Sequence, residues 1–589
     1  MSILAGIFAR TSDASLLQQD VDELKQAISR SPSDDVTVFR DERICLAKVD
    51  VGAFGVPAFR TGLDGSASML AGEPFLSDDD DPSWSREQDL ALLHSEIPRG
   101  DTHALRRARG FFAAAHYQVN PCTLTLVTDK LGVRMLYYWQ DEHYVVFATA
   151  IRIIEGLRRV PKEMDLRGVT EIACLGYALG ERTPYAGVYA LRPAETVRFS
   201  GAGTSKSQYW RWEAIEPQPS SEEALLRDVY DRFTAAVKRR LRSDTVTVSY
   251  LSGGLDSRCV VAVLRNLNAA VHTFTFAPRG TQDFALAPDI AQGLGTMHEQ
   301  HAVDSAGHDQ WLALLAEAWR DSKTRLRHPP QRPQMVWSGD GGSVGLGHVY
   351  LSDQLVGLLR SGRRETAIEI YLRQHYGSVL GRLMNREIYQ RLRNVPLKGI
   401  EEELDDIRCG EPARQFYLFL MFNDQRRHLV DYLENVDLHR LELHEPFYDS
   451  DLLESIMRGP TDLYIGHRFY TKWMRLFPSV VTSVPWQTYP GHEPCPLPLR
   501  PGLATPWNGQ GRLPQAIQRE RKRRLLADAY EMLHDTEFAA NFARRPYLLI
   551  VTEVYRTGLR DYSYVIETAK VYYRYWIRSA GRYRMPAAS

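Results

Sequence analysis

A β-forming run, Thr245–Leu251, breaks directly into Ser252-Gly253-Gly254-Leu255-Asp256-Ser257 and then into a stretch of helical character. A strand that passes through two glycines into a helix has few places to go. It belongs in a βαβ unit of a parallel sheet, with the turn at the carboxyl edge where ligands bind. The pattern then repeats. Val271–Phe276 reads as a second strand, a helix follows around Leu286–Leu294, and Gln334–Trp337 reads as a third strand ending at Ser338-Gly339-Asp340-Gly341-Gly342. An amphipathic helix, Glu222–Arg242, precedes the first strand, and the chain is mostly helical from about Leu355, with a Pro/Gly-rich interruption at Pro485–Pro506.

The first 200 residues have another texture. Leu124–Thr128 and Tyr144–Thr149 are short β-rich runs, with a turn-like Asp129–Gly132 between them and one helical candidate, Leu16–Ser29, near the start. Ser77–Ser85, with four aspartates and a proline, reads as a surface loop, and Glu216–Glu222 reads as a linker that sets the main boundary. A length of 589 residues is too great for one core and suggests two to four domains.

Net charge is −1, which gives no basic field for nucleic acid, and none is expected as a partner. Cys45, Cys122, Cys174, Cys259, Cys409 and Cys495 are scattered without a Cys-x-x-Cys pair, so the expectation is reduced thiols in a cytoplasmic protein and no zinc site. No apolar stretch approaches 18 residues and the start lacks a signal-peptide pattern, so no membrane association is expected.

The glycines at 253 and 254 let the backbone approach phosphate oxygens, with helix N-terminal amides facing the anion and Ser252 and Ser257 adding hydroxyls. Asp256 repels phosphate unless a cation intervenes, and so reads as a magnesium ligand. The loop lacks the Gly-Lys-Ser/Thr ending of kinase-type phosphate loops. A bare Gly-rich turn capped by Ser or Asp is the structural alternative.

Ser252–Ser257 after a strand resembles the pyrophosphate loop of ATP-pyrophosphatases, which split ATP between the α and β phosphates. Ser338–Gly342 and Glu445-Pro446-Phe447-Tyr448-Asp449 are similar to the later signatures of the asparagine synthetase branch. Gly110-Phe111-Phe112-Ala113, Asp129–Arg134 and Thr183–Pro193 resemble a class II glutamine amidotransferase domain. The resemblance implies an α+β, amidotransferase-like β-sandwich domain at 1–215. It also implies an α/β ATP-pyrophosphatase domain with a parallel sheet at 222–510, and a helical C-terminal extension at 511–589. ATP and Mg2+ are the implied cofactors. Leu251, Phe276, Ser338 and Gly339 are the implied adenine and ribose contacts, beside Ser252, Gly253, Gly254, Asp256 and Ser257 on the phosphates.

The chain departs from the family at several positions. Ser2 stands where the family's glutaminase uses cysteine, and Ala71-Gly72-Glu73 replaces the glutamine-binding Asn-Gly-Glu, so the N-terminal domain is expected to be a scaffold without glutaminase activity. A processed Ser2 acting as nucleophile is the alternative. Ser343 stands where the family carries a second magnesium-binding aspartate, leaving Asp256 as the metal ligand. Asp340 occupies the place of the group that handles the amine's proton, with a loop-capping role as its alternative. The family's late lysine falls near Thr488, and Lys472, Arg468 and His492 are the candidate replacements.

Pro485–Pro496, with four prolines and with Trp486, Tyr489 and His492, reads as a rigid loop lining an acceptor pocket, or as a Pro-stiffened loop packed on the core. It resembles the corresponding segment of lasso-peptide cyclases. That subtype implies a precursor core peptide as substrate, an Asp or Glu side chain activated as its adenylate, and attack by the peptide's N-terminal amine. A leader-peptide-binding protein and a leader protease are the implied partners. A small-molecule amide or β-lactam synthetase and a nucleotide-binding scaffold without turnover are the alternatives. Arg519–Arg524 reads as a solvated face, Cys259 as a buried thiol, and Tyr562, Tyr564, Tyr572, Tyr573 and Tyr575 as core or interface.

Overall fold

The computed structural model describes residues 2–55, 57–78, 81–303, 308–323, 326, 329–503 and 515–586, without the side chains of 2, 308–311 and 515–517. It forms two compact units, one of Met1–Arg158, Leu191–Ser352 and Gln425–Gly511, the other of Arg159–Ala190, Asp353–Asp424 and Arg512–Ser589. These units do not follow the bounds 1–215, 222–510 and 511–589. In the second unit, helix Leu166–Leu175 packs on helix Ser563–Arg578, where the Tyr572 hydroxyl donates to Thr170 at 3.1 Å. Segments far apart in sequence therefore share one helical core. Tyr572, Tyr573 and Tyr575 are buried in it, whereas Tyr564 is exposed.

The first unit opens with two antiparallel sheets. Strands β1 (Ser2–Ala9), β2 (Asp35–Arg40) and β3 (Ile44–Asp50) pair with β8 (Tyr137–Gln140) and β9 (Tyr144–Ala148) in the order β8-β9-β1-β3-β2. The second sheet runs β11-β10-β7-β6-β5-β4, from β4 (Phe59–Thr61), β5 (Ala67–Gly72), β6 (Phe112–Gln118), β7 (Thr123–Thr128), β10 (Glu195–Ser200) and β11 (Gly203–Gln208). Alternate residues make one core between the sheets: Leu4 and Phe8, Ala67 and Met69, Ala113 and Ala115, Leu124 and Leu126, Val197 and Phe199. That period of two is what a sandwich requires. The other face of the second sheet, with Leu70, Phe112, Ala114 and Val127, is covered by helix α2 (Arg86–Glu96) through Leu90 and Leu93, after α1 (Gln18–Ile28) on the first sheet. Ser85 and Gln88 close a capping box at the start of α2.

After the linker, α3 (Glu222–Leu241), capped by Ser221, leads into a parallel sheet. Its strands are β12 (Val246–Tyr250), β13 (Ala270–Ala277), β14 (Met297–Ala302), β15 (Met335–Trp337) and β16 (Glu442–His444), in the order β14-β13-β12-β15-β16. Helices α4 (Asp256–Asn266) and α5 (Gln282–Leu294) are crossovers between its strands. The three strands expected from sequence are present. The two others carry weak signals: β14 is Met-His-Glu-Gln-His-Ala at the edge, and β16 is only three residues long. The chain leaves β12 for β13 on one side and later returns to β15 on the other, so β12 and β15 flank a topological switch point. Open α/β sheets bind ligands in the crevice at such a point.

Candidate functional site

The two loops at that switch point are Leu251–Ser257 after β12 and Ser338–Gly342 after β15. They lie against each other with little clearance. A Cβ added at Gly339 would come within 2.5 Å of the Ser257 amide nitrogen, and one at Gly342 within 2.6 Å of the Asp256 carboxyl carbon. Gly339 and Gly342 of the second motif are thus required by close approach to the first.

Ser252 and Ser257 join across the loop, with the Ser252 amide donating to Ser257 Oγ at 3.0 Å. The Gly254 amide donates to Ser252 Oγ at 3.1 Å, and the Gly253 amide to Asp283 Oδ1 at 2.8 Å. These two glycine amides are therefore satisfied within the protein. Leu251 is buried, with its amide bonded to Phe274 O at 2.9 Å. Phe276, at the carboxyl end of β13, stacks on His301 with ring centroids 5.0 Å apart. The Ser338 amide donates to His444 O at 3.1 Å.

Asp256 is the centre of the site. Its carboxylate accepts from the Ser343 amide at 3.1 Å, from Ser343 Oγ at 3.1 Å to both oxygens, and from the Tyr470 hydroxyl at 2.5 Å. Burial pushes its pKa up to about 6, against the hydrogen bonds from Tyr470 and Ser343, and the nearby charge of Asp340 adds to the rise. Ser343, at the position read as a lost metal ligand, instead orients the remaining carboxylate. An acidic group raised in this way gains from a cation. The donor set, one carboxylate beside a hydroxyl, fits a magnesium ion whose other ligands are phosphate oxygens and water. Among the described residues no group of three or more His, Cys, Asp or Glu forms a self-sufficient metal cage.

Asp340 accepts from Ser338 Oγ at 2.7 Å, and its Oδ1 lies 3.5 Å from His428 Nε2. Beside it is Glu445, fully buried, whose carboxyl is held well above the usual range by burial and then by Asp340. Two neighbouring carboxyl groups, one of them disfavoured in its charged form by burial, are a pair able to take and pass a proton. Glu445 opens the Glu445–Asp449 motif, where sequence alone assigns it no chemical role.

The replacements considered for the missing lysine separate cleanly. Helix α6 (Arg468–Trp473) buries Phe469, Tyr470 and Trp473. The same helical period turns Arg468 and Lys472, four residues apart, to the outside. Lys472 is exposed and paired with Glu222 at 2.7 Å. Arg468 donates its Nε to Ile465 O at 2.8 Å on the exposed side. His492 is brought inward. Its Nδ1 lies 2.6 Å from His467 Nδ1, and the His467 ring stacks between Tyr470 and Tyr489, at 5.7 and 5.1 Å. Burial lowers the pKa of both imidazoles, that of His467 to about 3 with His492 adding to the fall, so this is a contact between neutral rings. His492 thus reaches Asp256 through His467 and Tyr470. Neither His467 nor Tyr470 was singled out from sequence, since neither lies in a motif.

In the N-terminal domain the sequence-inferred glutamine pocket is tied up by ion pairs. Glu73 Oε1 accepts from Arg242 at 2.5 Å, and Asp50 pairs with Lys48 at 3.2 Å and Arg86 at 3.1 Å. Arg134 pairs with Glu442 at 3.3 Å. A small, partly open cleft remains between Gly72, Glu73, Gly110, Arg240, Glu442 and His444. Ser2 is the first residue of β1, paired in register with Asp50, and its side chain lies outside the described residues.

Comparison with known proteins gives two matches in this order along the chain. Residues 80–210 match the glutamine amidotransferase domain family and residues 228–326 the asparagine synthase family. Glutamine-hydrolyzing asparagine synthetase 3 of Bacillus subtilis (strain 168) is 26% identical over 281 residues, 44% of this chain and 45% of that protein. Putative glutamine-hydrolyzing asparagine synthetase 2 of Methanocaldococcus jannaschii is 28% identical over 160 residues, 26% of this chain and 31% of that protein. Asparagine synthetase 1 of Bacillus subtilis is 25% identical over 217 residues, 36% and 34% of the two chains. The matched stretch spans less than half the length of each of these relatives. With a sandwich of antiparallel sheets followed by a parallel sheet carrying its motifs at the switch point, the chain is similar to asparagine synthetase homologues over these two stretches.

Proposed function

We propose that the chain is an ATP-dependent, AMP-forming ligase that closes a macrolactam ring in a ribosomally made peptide. The observation that carries the reading is the packing of Asp256 against Ser343, Tyr470 and the Ser338–Gly342 loop at the switch point. In this reading Ser252–Ser257 receives the phosphates, and Leu251, Phe276, Ser338 and Gly339 receive the nucleoside. Mg2+, held by Asp256, supplies positive charge at the phosphates when bound. An Asp or Glu side chain of the core peptide is activated as its adenylate with loss of pyrophosphate, and the peptide's N-terminal amine displaces AMP. Asp340 accepts the amine's proton, and Glu445 shares it. The Pro485–Pro496 loop, with Tyr489 and His492, confines the folded peptide. The amine and the activated carboxyl are then held as one intramolecular pair.

Ser2, Ala71 and the paired Glu73 support a nitrogen source other than glutamine. A leader-peptide-binding protein and a leader protease are the proposed partners.

ATP–pyrophosphate exchange tests the reading. Exchange that depends on a peptide acid, abolished at least about 100-fold in Asp256→Ala, is the expected result. Exchange with a small amino acid instead points to a small-molecule amide or β-lactam synthetase. ATP binding without exchange for any acid leaves a nucleotide-binding scaffold, the reading that Ser343 in place of a second carboxylate favours.

A further inference from the structure

Arg258, the residue after the nucleotide loop, is fully buried. A guanidinium has five N–H donors in a fixed plane, and here all five reach main-chain carbonyls. Nε donates to Gly254 O at 2.8 Å and Nη2 to Gly253 O at 3.1 Å, both in the nucleotide loop. Nη1 donates to Val481 O at 2.9 Å and Val484 O at 2.8 Å, and Nη2 also to Pro485 O at 2.9 Å. Those three carbonyls lead directly into the Pro485–Pro496 loop. Among the described residues Arg258 makes no ion pair, so its charge sits uncompensated beside a loop shaped for phosphates.

A second tie runs parallel to the first. The Gln487 amide donates to Gly253 O at 3.4 Å, and the Gly253 amide in turn donates to Asp283 Oδ1 at 2.8 Å. The start of the loop is therefore fastened to the nucleotide loop.

We propose that Arg258 is a positioning residue that couples the order of the 481–496 segment to occupancy of the nucleotide loop. Phosphate drawn toward the uncompensated guanidinium stiffens Gly253 and Gly254, and the same planar group then fixes Val481, Val484 and Pro485. The acceptor's loop is set only when nucleotide is in place. Lysine cannot substitute, because three tetrahedral donors cannot serve two loops on opposite edges of a plane. The role of 485–496 toward an acceptor rests on the function proposed above, but the coupling itself does not.

Hydrogen–deuterium exchange of the full chain, with and without Mg-ATP, reads the coupling directly. In the wild type ATP slows exchange at 481–496 together with 252–258. In Arg258→Lys, ATP still slows exchange at 252–258 but no longer at 481–496. Amide formation in that variant falls at least about 30-fold, while ATP–pyrophosphate exchange falls by no more than about 5-fold. Pro485→Gly, which loosens the segment and leaves the guanidinium in place, gives the same split and serves if Arg258→Lys does not fold. ATP-dependent protection at 481–496 that survives either folded variant, or is missing from the wild type, overturns the proposal. A wild type with coupled protection that forms no amide from any acid supports the clamp and sinks the proposed reaction instead.

Discussion

Asp256 sits in a contradictory environment: burial disfavours its charge, while three hydrogen-bond donors favour it. Its pKa of about 6, against an ordinary 3.8, has two consequences of opposite sign. Where the folded pKa exceeds the unfolded one, the folded state binds the extra proton. Stability therefore falls as pH rises from about 4 to about 6 and levels off above. Activity needs the carboxylate and moves the other way, falling as pH drops through about 6. Asp256→Asn flattens the stability limb between pH 4 and 6 while removing turnover at every pH. Denaturation midpoints of the variant and wild type across that range check the sign, and a parallel pair of curves counts against a raised carboxyl. Lys472 supplies the contrasting case. Its pair with Glu222 is exposed, and exposed pairs contribute about 0–1 kcal/mol. Lys472→Ala keeps its exchange rate within about twofold; a 100-fold loss restores the lysine to the chemistry.

The elements that carry the site are braced by buried groups far from it. Phe233 of α3 lies 4.6 Å from Phe447 and 5.3 Å from Trp473 of α6, ring centroid to centroid, so α3, the Glu445–Asp449 segment and α6 share one aromatic core. This core aims Tyr470 at Asp256. Asp449, fully buried, accepts from Arg239 and Arg240 at 2.6 Å each and caps the following helix at Asp451 N. Burial alone would raise its carboxyl, but the two guanidinium groups hold it below the usual range. Asp449→Ala leaves buried Arg240 without its anion and Arg239 with Asp451 alone, and costs about 3–5 kcal/mol, read as a drop in the denaturant midpoint. A change under about 1 kcal/mol means the arginines find other partners.

At the scale of the whole molecule, the N-terminal sandwich keeps its form while its polar interior is spent on ion pairs. Restoring the expected nucleophile alone is then insufficient. Ser2→Cys releases no glutamate from glutamine above the uncatalysed blank, because Glu73 remains bound to Arg242, Ala71 offers no amide, and Asp50 stays between Lys48 and Arg86. Measurable glutaminase activity in that single variant overturns the reading of a retired pocket. Arg242 comes from the end of α3, and Glu442 reaches Arg134 from β16, so these ion pairs tie the sandwich to the parallel sheet.

Local chemistry determined the strand–loop–helix of 245–266, the alternating strands of the sandwich, the identity of Asp256, and the Ser343 and Ser2 departures. Each is readable because period, glycine placement and residue type act over a few neighbouring positions. Other features depended on contacts between segments tens to hundreds of residues apart. Glu445 became half of a carboxyl pair only because β16 lies beside β15. Tyr470 and His467 joined the site because an aromatic core turned α6 one way, and that same turn sent Lys472 out to solvent. Arg258 looked like any helix residue after a glycine loop until the chain returned, more than 220 residues later, with three carbonyls to meet its remaining donors. A sequence shows which groups are available, and only the tertiary fold decides which of them share a dehydrated space, where charge and hydrogen bonds act strongly.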